Sequence, residues 1–212
     1  DVSAFTRDFM PDELRLLRDG LGIGSGEKVV ITTSRLVRKN AIDTAIRAMG
    51  IMSRKGMKAR FIIIGSGEDE KELKELAGKE GVGDRVIFLG QIPHAEIPKY
   101  LKIADVFVRP SRSEGLGNSF IEAMAAGIPV IGTLVGGIVD FLENEKTGLA
   151  VLVDDASDLA EKIETVFKDT MLKNSIVDGG RRLALSTFQW AMIAADFKGV
   201  FNHMMEVAQR PH

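Results

Sequence analysis

Six short apolar runs, rich in β-branched residues, recur along the chain about 20 to 30 residues apart. They lie at residues 29–32, 61–64, 86–89, 106–108, 129–131 and 149–152. Each run is continuously apolar instead of alternating between apolar and polar positions, which is typical of strands that are covered on both faces. The pattern therefore predicts six strands of a mostly parallel sheet.

Helical stretches separate these strands and follow the last of them. They are predicted at 41–55, 68–79, 94–103, 118–126, 136–142 and 156–169, with two further helices at 172–184 and 188–207. Asn40 is the predicted N-cap of the first helix, with Asp43 three residues later in a variant of the capping box. Strands that alternate with helices form right-handed βαβ units. The sequence thus predicts an α/β fold, with a doubly wound, mostly parallel, six-stranded Rossmann-like sheet and C-terminal helices.

The last predicted helix, 188–207, carries one broad apolar face. Its members recur at helical spacing and are Trp190, Ile193, Phe197, Val200, Phe201 and Met204. One interpretation is that this face packs into the core of the same domain. The other interpretation is that part of the face contacts a second domain.

The composition fits one globular domain over residues 1–212. The chain has 28 Lys and Arg against 30 Asp and Glu, a net charge of −2, and no Cys. A nearly neutral chain lacks the basic surface that binds nucleic acid, so we expect no nucleic-acid partner. The absence of Cys excludes disulfides and thiolate metal sites. The three histidines, His94, His203 and His212, are too scattered in sequence to predict a metal site.

The sequence also bears on where the protein works. No apolar run approaches the roughly 18 residues of a membrane span, so we expect no span in this segment. The chain starts with Asp1, Val2 and Ser3, which resemble no signal peptide and include no initiator Met. We therefore expect a piece of a longer or processed chain. A cytoplasmic location is expected, with peripheral membrane contact of the full-length protein as an extension of it.

Ligands of open α/β sheets bind at the carboxyl ends of the strands, which restricts the candidate site to a few loops. The most informative is loop 110–117, where a glycine-containing turn leads from the fourth strand into a helix that starts near Asn118. Free backbone amides and the positive end of the helix suit a phosphate there. Gly115 and Gly117 permit close approach of the backbone. A plain tight turn is the alternative.

A basic loop follows the first predicted strand. Arg35, Arg38 and Lys39 lie at a helix N-terminus, where the helix dipole disfavours positive charge and an anion would compensate it. An Arg and a Lys that face the glycine-containing turn across one cleft suit a diphosphate. A solvated basic turn is the alternative, and Arg38 fits that alternative best.

Two carboxylates, Glu114 and Glu122, flank the glycine-containing turn. Eight helical residues rise about 12 Å, whereas the paired carboxylates of a glycosidase lie about 5 to 9.5 Å apart. A hydrolytic pair is therefore disfavoured. We expect one carboxylate to face a substrate and the other to reach hydroxyl groups beside the phosphates. Glu122 alone is also explained as an acidic residue that the helix dipole favours in a first turn.

The run 114–130 contains these two glutamates separated by seven residues. It resembles the E-x7-E signature of a large family of retaining glycosyltransferases of the GT-B type, often called family 4. The likeness extends to segments 34–36, 65–67, 104–111, 135–137 and 147–149 and covers nearly the whole chain. Each short motif is weak alone, but together they are highly specific.

The resemblance implies that this chain is the C-terminal, donor-binding domain of such an enzyme, whose N-terminal domain binds the acceptor. Transfer of the sugar would retain the anomeric configuration without a metal or other cofactor, and a UDP-sugar is the expected donor. Glu114 is the implied catalytic residue and would lie against the donor sugar. The residues implied in nucleotide-sugar binding are Arg35, Lys39, Gln91, Ile92, Gly115, Leu116, Gly117, Asn118, Ser119 and Glu122.

The resemblance also implies a role for each part of that set. Arg35 and Lys39 would hold the diphosphate opposite the amides of 117–119, Glu122 would hold the ribose hydroxyls, and residues 91–92 would lie near the base. The helix 188–207 would cross to the acceptor domain, a partner absent from these residues. We expect the isolated domain to be inactive, because transfer needs both reactants in one geometry. An exposed apolar helix face would favour self-association.

One position departs from the family's pattern. The family's phosphate-binding Lys is followed by Gly, and the matching position here is Asn40, so Lys39 is displaced by one residue. A nicotinamide-dinucleotide domain is disfavoured, because G-x-G-x-x-G should then follow the first strand. Two alternatives stay open: a non-catalytic nucleotide-sugar-binding module, and another GT-B-type enzyme such as a phosphorylase or an epimerase.

Overall fold

The computed structural model of the protein describes residues 2–208, except the side chains of 191, 196, 202, 203 and 206–208. Within this range six parallel strands form one sheet. The strands are β1 (Lys28–Thr33), β2 (Ala59–Ile64), β3 (Val86–Gly90), β4 (Val106–Arg109), β5 (Val130–Thr133) and β6 (Leu149–Val151). Their order is β3-β2-β1-β4-β5-β6, and all five pairings are parallel. The predicted six-stranded, doubly wound sheet is confirmed.

Eight α-helices accompany the strands within residues 2–208. They are α1 (Pro11–Gly20), α2 (Ile42–Arg54), α3 (Glu70–Lys79), α4 (Ile97–Lys102), α5 (Asn118–Ala126), α6 (Ala156–Lys168), α7 (Thr170–Thr187) and α8 (Trp190–Ala208). Short 3-10 segments lie at Ser3–Thr6, Arg38–Asn40, His94–Glu96 and Gly136–Asp140.

The sheet is buried on both faces, which explains its continuously apolar strands. Val30 packs with α2, α3 and α6 on one face, whereas its neighbours Val29 and Ile31 pack with α4 and α5 on the other. Side chains of successive strand residues point to opposite faces. A strand with helices on both sides therefore needs an apolar residue at every position.

Three local predictions are wrong, and one helix was missed. Helix α1 was not predicted: it is rich in charged residues and buries none of its residues completely. The predicted helix 94–103 is a 3-10 turn followed by α4, which begins at Ile97 because Pro98 fits only the first turn of a helix. The predicted helix 136–142 is a 3-10 segment. Asn40 is not the N-cap of α2: Ala41 takes that position in a left-handed conformation with φ 51°.

The apolar face of α8 does not enter the core of this domain. Phe197 is 63% exposed and Phe201 is 60% exposed, and Trp190, Val200 and Met204 are exposed as well. Ile193 is half-buried. For these positions, packing into the same domain is the wrong interpretation, and the face is available to another surface.

Candidate active site

The sheet order places a crevice between β1 and β4, where the chain leaves neighbouring strands in opposite directions. This is the switch point at which open α/β sheets bind their ligands. A cavity of about 440 Å³ opens there. We call it the switch-point cleft; among its lining residues are Arg35, Lys39, Gln91, Ile92 and Glu114 from the predicted set, together with Arg109, Thr33, Ser34 and Asn40.

The loop after β1 presents two of its three cations, Arg35 and Lys39, to this cleft. Both side chains are exposed, and neither side chain forms a hydrogen bond or an ion pair with a residue that the structure describes. Between them Leu36 is completely buried and anchors the loop. Two unpaired cations on a fixed loop suit an anionic ligand.

Close contact with the loop after β2 holds this basic loop in place. The Leu36 amide donates to the Ser66 carbonyl at 3.0 Å. A Cβ at Gly65, where φ is 131°, would lie 1.9 Å from the Ser34 carbonyl oxygen, and one at Gly67 would lie 2.1 Å from that of Leu36. Only glycine permits such an approach. The Gly65-Ser66-Gly67 segment is thus required by the packing of two loops.

Asn40 holds the basic loop in place through a hydrogen bond to its backbone, and its neutral side chain does not supply the positive charge of the family's Lys. Asn40 is 1% exposed, and its side-chain amide Nδ2 donates to the Arg35 carbonyl at 2.8 Å. The buried Oδ1 has no partner among the described residues. The position that matches the family's Lys is therefore a buried Asn that stabilises the loop, whereas the neighbouring Lys39 presents an ammonium group to the cleft.

The opposite wall is built on a buried ion pair between Arg109 and Glu114. Their side chains are 12% and 9% exposed, and Arg109 Nη2 lies 2.9 Å from Glu114 Oε2. Ser111 Oγ also donates to Glu114 Oε2, at 3.0 Å. Arg109 Nη1 donates to Ser119 Oγ at 2.6 Å and to the Thr33 carbonyl at 3.2 Å. The Arg109 side chain thus reaches from the end of β4 to the end of β1 and to α5.

Arg109 was not among the predicted site residues. The sequence offered one signal, a charged residue at the carboxyl end of an otherwise apolar strand. The partners of Arg109 come from three separate segments, so the sequence could not indicate them. Burial lowers the pKa of Arg109, and the neighbouring Glu114 carboxylate opposes that effect. Arg35 adds a repulsive charge nearby. The cleft is therefore rich in cations.

The glycine-containing turn before α5 has the geometry expected of an anion site. Gly117 adopts a left-handed conformation with φ 70° immediately before the helix. The first turn leaves the amides of Asn118 and Ser119 without an intrahelical acceptor. The turn is braced by the Gly137 amide, which donates to the Gly115 carbonyl at 2.9 Å. At Gly136 a Cβ would lie 1.8 Å from the Glu114 carbonyl oxygen, which excludes any side chain there.

Glu122 lies one turn further along α5 and faces a neighbouring, smaller cavity of about 250 Å³. Leu116 and Asn118 line the same cavity, together with residues of the chain start and of α8. Glu122 Oε1 is hydrogen-bonded to His94 Nε2 at 2.9 Å, and the His94 ring is 5.3 Å from the Phe5 ring in an edge contact. The second carboxylate oxygen remains for another donor. The predicted set is thus divided between two adjoining cavities.

Arg112 connects three loops at the edge of the cleft. Its guanidinium lies 2.9 Å from Asp43 and 2.6 Å from Asp154, and its amide donates to the Lys39 carbonyl at 2.7 Å. Burial raises the pKa of Asp43, but hydrogen bonds from Arg112 and Arg47 outweigh it and hold the pKa below its ordinary value. The loop that carries Lys39 is therefore tied to the loop that carries Glu114.

Neither a metal site nor a membrane-spanning helix is found among the residues that the structure describes. No group of three or more His, Asp or Glu side chains between residues 2 and 208 could hold a metal ion; the side chains of His203 and His212 lie outside the description. Over the same range, no helix is long and apolar enough to cross a membrane.

The doubly wound parallel sheet, with a basic loop and a helix N-terminus near its switch point, places the chain in the class of Rossmann-like α/β domains, which bind ligands at the carboxyl ends of their strands. Comparison with known proteins shows to which family within this fold class the chain belongs. The chain belongs to the family Glycosyl transferases group 1, whose model matches residues 15–183.

Similar proteins agree with this membership. The chain is 30% identical over 216 residues to a GDP-mannose-dependent alpha-(1-6)-phosphatidylinositol monomannoside mannosyltransferase of Mycolicibacterium smegmatis, covering 99% of this chain and 56% of that protein. It superposes with a TM-score of 0.86 on Anabaena HepE in complex with UDP-glucose, at 25% identity, covering 96% of this chain and 55% of that one.

A third similarity concerns a single domain. The C-terminal domain of a group 1 family glycosyl transferase from Francisella tularensis has the same fold, with a TM-score of 0.77 at 23% identity. The match covers 90% of this chain and 98% of that one. The chain spans about half the length of the curated relatives that it matches.

Proposed function

We propose that this chain is the C-terminal, donor-binding domain of a retaining glycosyltransferase of family 4, and that it binds a nucleoside-diphosphate sugar in the switch-point cleft. One observation carries the proposal: the unpaired cations Arg35 and Lys39 line the switch-point cleft together with Arg109 and Glu114, which belong to the segment that leads into the N-terminus of α5. A diphosphate fits between a bidentate guanidinium, an ammonium group and a helix dipole.

The remaining contacts follow from the position of the diphosphate. Glu122 takes the ribose hydroxyls with the oxygen that His94 does not occupy. Gln91, whose amide donates to Ser66 Oγ at 3.0 Å, and Ile92 border the cleft on the side where we place the base. Glu114 then borders the donor sugar. The relative named for GDP-mannose and the structure solved with UDP-glucose support a nucleotide-sugar donor, and UDP remains our expected nucleotide.

Transfer itself needs a second domain in this proposal. Arg35, Lys39 and the helix dipole stabilise the negative charge that develops on the departing nucleoside diphosphate, in place of a metal ion. The acceptor and its orienting groups come from an N-terminal domain, which the greater length of the relatives supports. The exposed apolar face of α8 is a surface that such a domain can cover. The domain alone binds the donor and does not turn it over.

Calorimetric titration and thermal unfolding with UDP, GDP, ADP and NAD test the binding proposal. A ligand at about 100 times its Kd adds about 2.7 kcal/mol to the free energy of unfolding, a shift of roughly 5 to 10 °C in Tm for this chain length. We expect one nucleoside diphosphate to bind selectively. Arg35→Ala and Glu122→Ala should each weaken its affinity about tenfold or more, which corresponds to about 1.4 kcal/mol.

Arg38→Ala is the matched control, because Arg38 belongs to the same basic loop but lines a groove between α2 and α3, outside the cleft. Its affinity for the nucleotide should stay within about twofold of the native value. Binding of NAD alone, or loss of binding in the Arg38 variant as large as in the Arg35 variant, would refute the proposed site.

A further inference from the structure

The Arg109–Glu114 ion pair is more deeply buried than a surface salt bridge and lies in the wall of the proposed donor site. The two side chains are 12% and 9% exposed. Removing two charges from water is costly, and well-packed apolar residues often stabilise a fold as well or better. An ion pair in the wall of the site therefore calls for a role other than stability.

Arg109 has its donors engaged within the protein. Its Nη1 donates to Ser119 Oγ and to the Thr33 carbonyl, its Nη2 donates to Glu114, and its Nε lies 3.4 Å from Ser111 Oγ. Arg35, on the facing loop, has none of these restraints. Arg35 is therefore suited to a ligand phosphate, whereas Arg109 is suited to fixing its protein partners.

Glu114, by contrast, keeps acceptor capacity. Its Oε1 accepts from Arg109, and its Oε2 accepts from Arg109 and Ser111. An ionised carboxylate has about four acceptor positions and no donor. The carboxylate held in this way can still accept from hydroxyl groups in the cleft, but it cannot donate to a ligand carboxylate.

We infer that Arg109 is a positioning residue that fixes Glu114 as a hydroxyl acceptor, so that the site selects a donor with a neutral, hydroxylated sugar over one with a carboxylated sugar. The inference rests on the proposed function. A uronate in this place would meet the Glu114 carboxylate; the Arg109 guanidinium is occupied by that same carboxylate, and in the proposed function Arg35 and Lys39 are engaged by the diphosphate. Like charges without a free cation between them disfavour binding.

The test compares the Kd of UDP with that of its sugar conjugates on the full chain. UDP-glucose, UDP-galactose and UDP-N-acetylglucosamine are the neutral probes, and UDP-glucuronate is the carboxylated probe; GDP and GDP-mannose replace them if guanine is the preferred base. We expect at least one neutral sugar conjugate to bind about tenfold or more tightly than the nucleoside diphosphate without a sugar. We expect UDP-glucuronate to bind no more tightly than UDP.

Variants separate positioning from a structural role. Arg109→Lys keeps the positive charge but loses the planar guanidinium that contacts both oxygens of Glu114. Glu114→Gln keeps the size of the side chain but loses its negative charge. Each should remove most of the gain in affinity due to the sugar, while the Kd of UDP changes less than about threefold. Because both act through the same carboxylate, their combined effect on that gain should be clearly less than the product of the single effects.

Arg109→Met with Glu114→Gln removes the buried charges together and so avoids an unpaired charge that could unfold the chain. This double variant should bind UDP normally and lose its preference for a neutral sugar. Equal losses for UDP and its sugar conjugates in Arg109→Lys would overturn the inference, as would tight native binding of UDP-glucuronate or no gain from any neutral sugar. Failure of UDP and GDP to bind the native chain would instead refute the proposed function.

Discussion

At the scale of single residues, Asp43 contributes to stability in a way that depends on pH. Its carboxylate accepts from Arg112 at 2.9 Å and from Arg47 at 2.7 Å. Its pKa lies below the ordinary value of 3.8, despite the opposing effect of burial. A carboxyl group whose pKa is lowered by folding stabilises the native state above its unfolded pKa and loses that contribution as the pH falls.

We therefore predict that Asp43→Asn lowers the free energy of unfolding by about 1 to 3 kcal/mol at pH 7. The difference from the native chain should shrink as the pH falls below about 4. Urea unfolding at several pH values measures this. Asp84→Asn, at an exposed acidic residue, is the control and should change stability by less than about 0.5 kcal/mol. A difference for Asp43→Asn that is the same at pH 7 and pH 3 would contradict the assignment.

At the scale of elements, two helical glycines have opposite roles. A Cβ at Gly179 in α7 would lie 2.0 Å from the Lys146 carbonyl oxygen, so this glycine permits α7 to approach the loop before β6. A Cβ at Gly78 in α3 would meet nothing within 4 Å. Glycine inside a helix is otherwise unfavourable relative to alanine.

Gly179→Ala should therefore destabilise the fold by about 1 to 3 kcal/mol, as overpacking does in other proteins. Gly78→Ala should stabilise it by about 0.5 to 1 kcal/mol. The two variants serve as each other's control in the same denaturant titration. A stabilising effect of Gly179→Ala would show that α7 does not pack as closely as described.

The elements also show what the sequence could predict. All six strands were found because strands buried on both faces are continuously apolar. Helix α1 was missed because its few apolar residues stand among charged ones: Leu14 and Leu17 are half-buried and Leu16 is exposed. The N-cap prediction for α2 was wrong because the Asn40 side chain turns inward to the Arg35 carbonyl. Sequence spacing could indicate that Arg35 and Glu114 lie at the same sheet edge. It could not indicate that Arg109 pairs with Glu114, because that contact depends on the path of a turn.

At the scale of the whole molecule, the uncovered face of α8 should make the isolated chain associate with itself. Phe197, Val200 and Phe201 are each more than half exposed, and no described residue covers them. Large exposed apolar surfaces mark sites of protein contact. Sedimentation velocity should show a concentration-dependent increase in mass, which Phe197→Ser with Phe201→Ser should abolish.

The control is Leu16→Ser, which removes an exposed apolar side chain of α1 on another surface. It should leave the association unchanged. A chain that stays monomeric at all accessible concentrations would show that the face needs a different partner.

The pairing of β1 with β4 has only two registered residue pairs, against six for β1 with β2. This pairing divides the sheet into a half that carries Arg35 and Lys39 and a half that carries Glu114 and α5. A nucleotide held by both halves spans the division, and local opening there must break its contacts as well as the strand pairing. Amide protons of β1 and β4 should therefore exchange with solvent much more slowly in the bound state, while those of β6 change little.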